Sequence, residues 1–240
     1  MSGEHVVVSA TIGEPSARVV LEDIDDPAGD YIKVDWENGG ESFLVIGSNG
    51  MATFEQTAST EDSPSQFEGT LPVVGPYLAI YPAALSSESA ETFRARMANQ
   101  HGTLDESLCV MMDLESDGSS FHFQHGTSIL RPTFKVGEEP LANNQITRVV
   151  VSSSTILMNN SVFGIYVPVY IAAECNALET IYLHFLSEEI EAEDDDRSFD
   201  VVVTTADAKI YTGQLRVPEG KTLMPGKFYT PTITLSEPAE

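Results

Sequence analysis

The chain has 240 residues, 42% of them apolar, enough for one large or two ordinary domains with real cores, which excludes a disordered chain and a disulfide-stapled miniprotein. Twelve Lys and Arg against 37 Asp and Glu leave a formal charge of −25, which repels phosphate backbones and anionic headgroups. Nucleic acid is thereby set aside as a partner.

From the N-terminus, MSGEHVVVSATI shows no basic region, apolar stretch or small-residue cleavage site of a secretion signal, a pattern shared by cytosolic and mature exported chains. Within it Val6, Val8, Ala10 and Ile12 share one parity and predict a first strand. Gly13-Glu14-Pro15-Ser16-Ala17-Arg18 follows, then a second strand over Val19 to Glu22. Arg18, one of few basic residues, stands in a Pro- and Ser-containing connection of the kind that proteases nick. The plain alternative is a basic residue beside a turn.

Alternation continues through Ile32, Val34 and Trp36, between turn clusters at Asp25 to Gly29, Asn38-Gly39-Gly40 and Ser48-Asn49-Gly50. Ser87 to Gln100 breaks the pattern: Ala90, Phe93 and Met97 recur at three and four, predicting a short amphipathic helix. Period two resumes at Ile165, Val167, Val169 and Ile171, at Ile181, Leu183 and Phe185, and at Phe199, Val201 and Val203. Many short strands at this spacing predict an all-β fold of sandwich type with one short helix. A composition change between about Ser116 and Asn144 places the boundary of two β-sandwich domains near residue 135, giving 1–135 and 136–240. The longest apolar stretch, Val162 to Ala173, is interrupted by Gly164 and Pro168 and falls short of the roughly 18 residues a helical membrane span needs. No direct transmembrane span is expected.

At the C-terminal end Tyr229, Pro231, Ile233 and Leu235 share one parity. Because Pro231 has no N–H for a ladder, this strand is expected at a sheet edge, where it is a candidate donor for strand addition to another chain.

Candidate chemistry is sparse. Asp113-Leu114-Glu115-Ser116-Asp117-Gly118 resembles half of a calcium loop, but Gln124 stands where a bidentate Glu is wanted, so an acidic turn is the expectation. The run from Glu188 to Asp196 reads as a solvated loop. His122 and His125 would face opposite ways in a strand, and no HExxH, GxSxG, P-loop or GxGxxG pattern occurs. Cys109 and Cys175 sit in apolar contexts and read as two separate buried thiols, with a bridge as the other option. Catalytic residues, metal and cofactors are expected to be none.

Several segments, in order, resemble the fimbrillin superfamily, pilins and pilus-tip subunits of Bacteroides-group bacteria. They are VSATIGEPSARVVLED, IKVDWENGGESFLV, FEGTLP leading to YLAIYPAAL, FHFQHGTSILRPTF, ITRVVVSS and GKFYTPTITL, and they span nearly the whole chain. The resemblance implies two transthyretin-like β-sandwiches, a lipoprotein precursor exported to the outer membrane, and a fimbrium used for adhesion. It further implies that an arginine-directed protease removes the first strand, with Arg18-Val19 in the cleavage position, and that a neighbouring subunit's strand then fills the opened groove. Expected partners are other fimbrial subunits, the processing protease, and host or bacterial surface ligands. The signal and lipid-bearing Cys are not in this chain, which is short for a main shaft subunit and suits a tip or accessory role. The competing reading is a surface glycan-binding lipoprotein, with Trp36, Tyr77 and Tyr81 as a stacking platform on tandem β-domains. A sandwich hydrolase would need converging carboxylates, for which there is no motif.

Overall fold

A computed structural model describes residues 3–12, 21–24, 31–34, 36, 39–60, 63–160, 165–186, 198–217 and 226–237. In chain order its elements are β1 (His5–Ile12), β2 (Leu21–Ile24), β3 (Tyr31–Val34), β4 (Ser42–Gly47), β5 (Gly50–Thr60), β6 (Ser63–Thr70), β7 (Tyr77–Tyr81), α1 (Ala90–Ala98) and β8 (Asn99–Gln100). There follow β9 (Met111–Ser116), β10 (Ser120–His125), β11 (Thr127–Leu130), β12 (Thr133–Val136), β13 (Glu139–Leu141), β14 (Ile146–Asn160) and β15 (Ile165–Glu174). The last are β16 (Leu183–Leu186), β17 (Ser198–Thr205), β18 (Ile210–Arg216), β19 (Phe228–Tyr229) and β20 (Thr232–Ser236). The fold is all-β with a short helix, as the period-two pattern predicts.

The chain divides into two compact units, Met1–Ser89 with Asp105–Gly126, and Ala90–Leu104 with Thr127–Glu240. It therefore crosses between units more than once, and the helix predicted from Ser87 to Gln100 forms over Ala90–Ala98 within the second unit.

In the first unit the strands close into a ring in the order β1-β10-β9-β7-β4-β5-β6, with β6 returning to β1. β4 and β5 join through the reversal at Ser48 and Asn49, the sharp turn that the Ser-Asn-Gly cluster predicts. Alternation then turns Phe43 and Val45 of β4, Phe54 of β5, Phe67 of β6, Tyr77, Ala79 and Tyr81 of β7, and Phe121 and Phe123 of β10 into one core. Phe43 is its hub: its ring lies 4.8 Å from Phe67, 5.0 Å from Phe121, 5.1 Å from Phe123 and 5.4 Å from Phe54. Phe67 and Phe123 meet Phe43 edge to face, Phe54 stacks on it and Phe121 is tilted against it, all arrangements that the ring quadrupoles favour over a face-to-face sandwich.

In the second unit the long sheet runs β13-β12-β20-β18-β17-β14-β15-β8, and a small sheet runs β16-β11-β19. β17 shows strict alternation, with Phe199, Val201, Val203 and Thr205 buried, whereas β11 and β16 are buried at every position. The alternation through Ile181, Leu183 and Phe185 implies one wet face for β16, but His184 and Leu186 are sealed too. α1 lies against β15 and β16 and buries Phe93 and Met97, two of its three predicted apolar positions; Ala90 stays exposed.

One expectation is corrected here. β20 is not an edge strand: it is hydrogen-bonded to β12 in parallel and to β18 antiparallel, with Ile233 and Leu235 buried. Pro231 does not break a ladder because it falls in the gap between β19 and β20, and its carbonyl accepts the N–H of Thr133 at 2.9 Å. The same register holds on both sides of the gap, Leu130 opposite Tyr229 and Thr133 opposite Thr232. The paired segments thus pass from the small sheet to the long one together, a corner where a residue without an N–H costs nothing.

Candidate functional site in the first unit

The candidate site is the seam that β1 occupies. On one side β1 runs antiparallel to β6, pairing Val6 with Gly69, Val8 with Phe67 and Ala10 with Ser65. On the other it runs parallel to β10, pairing Ala10 with Phe121 and Ile12 with Phe123. Val8 and Ala10 are buried in the aromatic core, Val6 packs partly against it, and Val7 on the opposite parity is 58% exposed. Sequence parity alone predicts this division between faces.

β1 closes the ring, so its withdrawal would create two facing edges, β6 and β10, about 9–10 Å apart, which is one strand wide. Burial of each valine-sized side chain here is worth roughly 1.5–3 kcal/mol, so an emptied seam strongly favours refilling. The walls of the seam are fitted rather than generic. A Cβ at Gly69 would stand 2.7 Å from the Phe54 ring, so β6 can carry only hydrogen there without moving a core aromatic. Ser65 is buried beside Ala10 and accepts a bond from Gln56 Nε2 at 3.3 Å. Gly69, Ser65 and Phe121 were not singled out by sequence reasoning; the signal available was small and large residues alternating in SPSQFEG and FHF.

Arg18 and Val19 lie outside the described residues, as does the acidic run from Glu188 to Asp196. β1 ends at Ile12, upstream of both proposed processing residues. Of the candidate donor residues, Ile233 and Leu235 are buried in the second unit's sheet, and Tyr229 belongs to β19.

The stacking platform required by the glycan-binding reading is absent from the positions named for it. Trp36 is 0% exposed, with Tyr81, Phe67 and Phe123 around it at 5.0, 5.3 and 5.7 Å. Tyr77 and Tyr81 are buried as well, their hydroxyls donating to the Pro72 carbonyl at 2.9 Å and to Glu41 Oε2 at 2.6 Å. Burial and then the Glu41 carboxylate raise the Tyr81 pKa, so it remains a phenol donor. These rings hold the core together and cannot stack on a sugar.

The acidic segment runs along the end of β9 and enters the β9–β10 turn at Asp117. Asp113 accepts the backbone N–H of His122 at 2.7 Å and of Glu115 at 3.3 Å. Asp117 accepts Ser119 N at 2.8 Å and Ser119 Oγ at 2.6 Å, the hydroxyl bond chiefly holding its carboxyl below the usual range. Gly118 has φ of +87°, and a Cβ there would reach the Tyr77 ring at 2.7 Å, so the turn requires glycine. Asp113 and Asp117 thus spend their carboxylates on neighbouring backbone N–H groups, and among the described residues no group of three His, Cys, Asp or Glu is placed to hold a metal ion.

Both cysteines are free and buried. Burial pushes the thiols of Cys109 and Cys175 up to about 12 each, with the Glu106 and Glu41 carboxylates adding to the effect at Cys109. His125 Nδ1 stands 3.9 Å from Cys109 Sγ, and burial lowers the His125 pKa, so the pair is thiol beside neutral imidazole and not an activated nucleophile. His122, by contrast, is exposed and meets Thr11 Oγ1 of β1 at 2.8 Å through Nδ1. Among the described residues no helix is long and apolar enough to cross a membrane.

No protein-family model and no curated protein matches the chain. Among solved structures, it is similar to a candidate cell-adhesion protein from Bacteroides uniformis, at 16% identity and a TM-score of 0.49, covering 98% of each chain. A second likeness is to the tip fimbrial protein Mfa3 from Porphyromonas gingivalis with C-terminal truncation, at 11% identity and a TM-score of 0.34, covering 80% of this chain and 88% of that one. At these TM-scores neither likeness bears on function.

Proposed function

We propose that this chain is a non-enzymatic fimbrial subunit of fimbrillin type, serving adhesion at the cell surface. It joins its neighbours by strand exchange after proteolytic removal of its first strand. The observation that carries the reading is the place of β1, which closes the ring and plugs the aromatic core with Val8 and Ala10. Arg18 follows β1 closely enough in the sequence for one cut there to separate the strand from the rest of the unit. The ordered segments resembling fimbrillins support the same reading. In it, the partners are other fimbrial subunits, a processing protease and surface ligands. The lipid anchor and outer-membrane destination belong to a precursor.

The test treats the full chain with an arginine-specific protease under native conditions, then offers a labelled synthetic peptide of residues 3–12. A cut between Arg18 and Val19 is expected, followed by co-elution of the peptide with the cut chain and not with the intact one; Arg18→Ala should prevent both. A chain that resists cutting at Arg18, or a cut chain that captures no peptide, refutes the proposal.

A further inference from the structure

We infer that the seam selects its incoming strand by size, admitting only a small residue at the third inward position, which excludes the apolar face Tyr229, Pro231, Ile233 and Leu235 of a second copy. This inference rests on the strand-exchange reading and specifies its partner.

The three inward places of β1 are Val6, Val8 and Ala10, and their surroundings differ. Val6 faces Gly69, whose missing side chain leaves lateral room that the Phe54 ring partly takes. Val8 sits opposite Phe67. Ala10 is 0% exposed and flanked on both sides at once, by buried Ser65 of β6 and by buried Phe121 of β10. Phe121 cannot retreat, because its ring is wedged against Phe43 at 5.0 Å and Phe54 at 6.0 Å. A branched side chain in place of Ala10 would have to displace this cluster, which close-packed interiors resist.

The apolar face of residues 229–235 fails this requirement in both directions. On that face the residues are Tyr229, Pro231, Ile233 and Leu235, so the third place receives Tyr, Pro, Ile or Leu. The other parity carries Thr230, Thr232, Thr234 and Ser236, which would fill an aromatic core with hydroxyls. The strand is also already committed, paired to β12 on one side and β18 on the other. The fitting occupant is an extended segment of another subunit with two valine-sized residues and then Ala, Gly or Ser at alternate positions.

The experiment uses the full chain cut after Arg18 and compares capture of four labelled peptides: residues 3–12, the same with Ala10→Leu, the same with Ala10→Ser, and residues 228–237. Binding about ten-fold or more weaker is expected for the Ala10→Leu peptide and for residues 228–237, with Ala10→Ser close to the parent. Capture of the Ala10→Leu peptide within about two-fold of the parent overturns the size rule and leaves strand exchange standing. Capture of no peptide overturns strand exchange and this inference with it. The intact chain supplies a measurement independent of cleavage: Ala10→Leu should lower the unfolding midpoint while Val7→Leu, on the exposed face of the same strand, leaves it in place. An unmoved midpoint for Ala10→Leu overturns the size rule outright.

Discussion

Gly69→Ala tests whether the seam and the aromatic core are one packed body. The backbone at Gly69 does not require glycine for its dihedrals; the constraint is space, since an added Cβ would lie 2.7 Å from two atoms of the Phe54 ring and 2.9 Å from a third. Carbon atoms are comfortable at about 3.5–4.0 Å, so the ring must yield by about 0.8 Å. It has little room to do so, because Phe54 is buried, stacked on Phe43 at 5.4 Å and 13°, and edged by Phe121. Overpacking of this kind costs roughly 1–3 kcal/mol. For a unit of this size that corresponds to a fall of about 4–12 °C in its midpoint. Trp36 is the only tryptophan and lies in this core, so its fluorescence reports unfolding of the first unit selectively. Phe54→Leu supplies the control, because a smaller side chain makes the room that Gly69→Ala needs. The double variant should therefore be more stable than the sum of the single losses predicts. A Gly69→Ala chain with an unchanged midpoint, or single effects that simply add, would refute the packing argument.

The second unit offers a separate test at Gln100, whose Nε2 donates to the carbonyls of Met97 and His184 at 2.7 Å each while its Oε1 accepts the His184 N–H at 2.9 Å. Gln100→Leu removes all three bonds in a buried setting and should cost at least about 2 kcal/mol, read by circular dichroism as an earlier melt; an unchanged melt would mean these bonds contribute nothing net. Stability should also depend on pH through His125. Burial depresses its folded pKa below the ordinary 6.5, so the unfolded chain takes up a proton first, and the contribution present above that value is lost as pH falls through and below it. His125→Gln should flatten the loss of stability between pH of about 6.5 and about 5 measured by Trp36 fluorescence, and an identical slope in the variant would refute the assignment.

The candidate site was half legible in advance. Val6, Val8, Ala10 and Ile12 predict both the existence of β1 and its buried parity, since side chains alternate by geometry and the unburied Val7 follows from the same rule. The size constraint at Ala10 was not legible, because it is set by Phe121 and Ser65, which lie far away in the chain. Pro231 misled for a related reason: a missing N–H argues for an edge only if the residue sits inside a ladder, and whether it does depends on where the strand is interrupted.

By itself, then, the sequence determines the period-two strands, the inward faces of β1 and β17, the short helix through Phe93 and Met97, and a charge that turns away polyanions. The tertiary structure alone decides that β1 bridges β6 and β10, that β20 lies between β12 and β18, that Trp36 is sealed among rings instead of offered to a ligand, and that α1 belongs with the second unit. The reason is physical. Alternation along a strand is a local property of side chains and survives in any context, whereas the choice of neighbour is made by backbone N–H and C=O groups that are the same in nearly every residue and are discriminated only by the long-range packing of the faces they bring together.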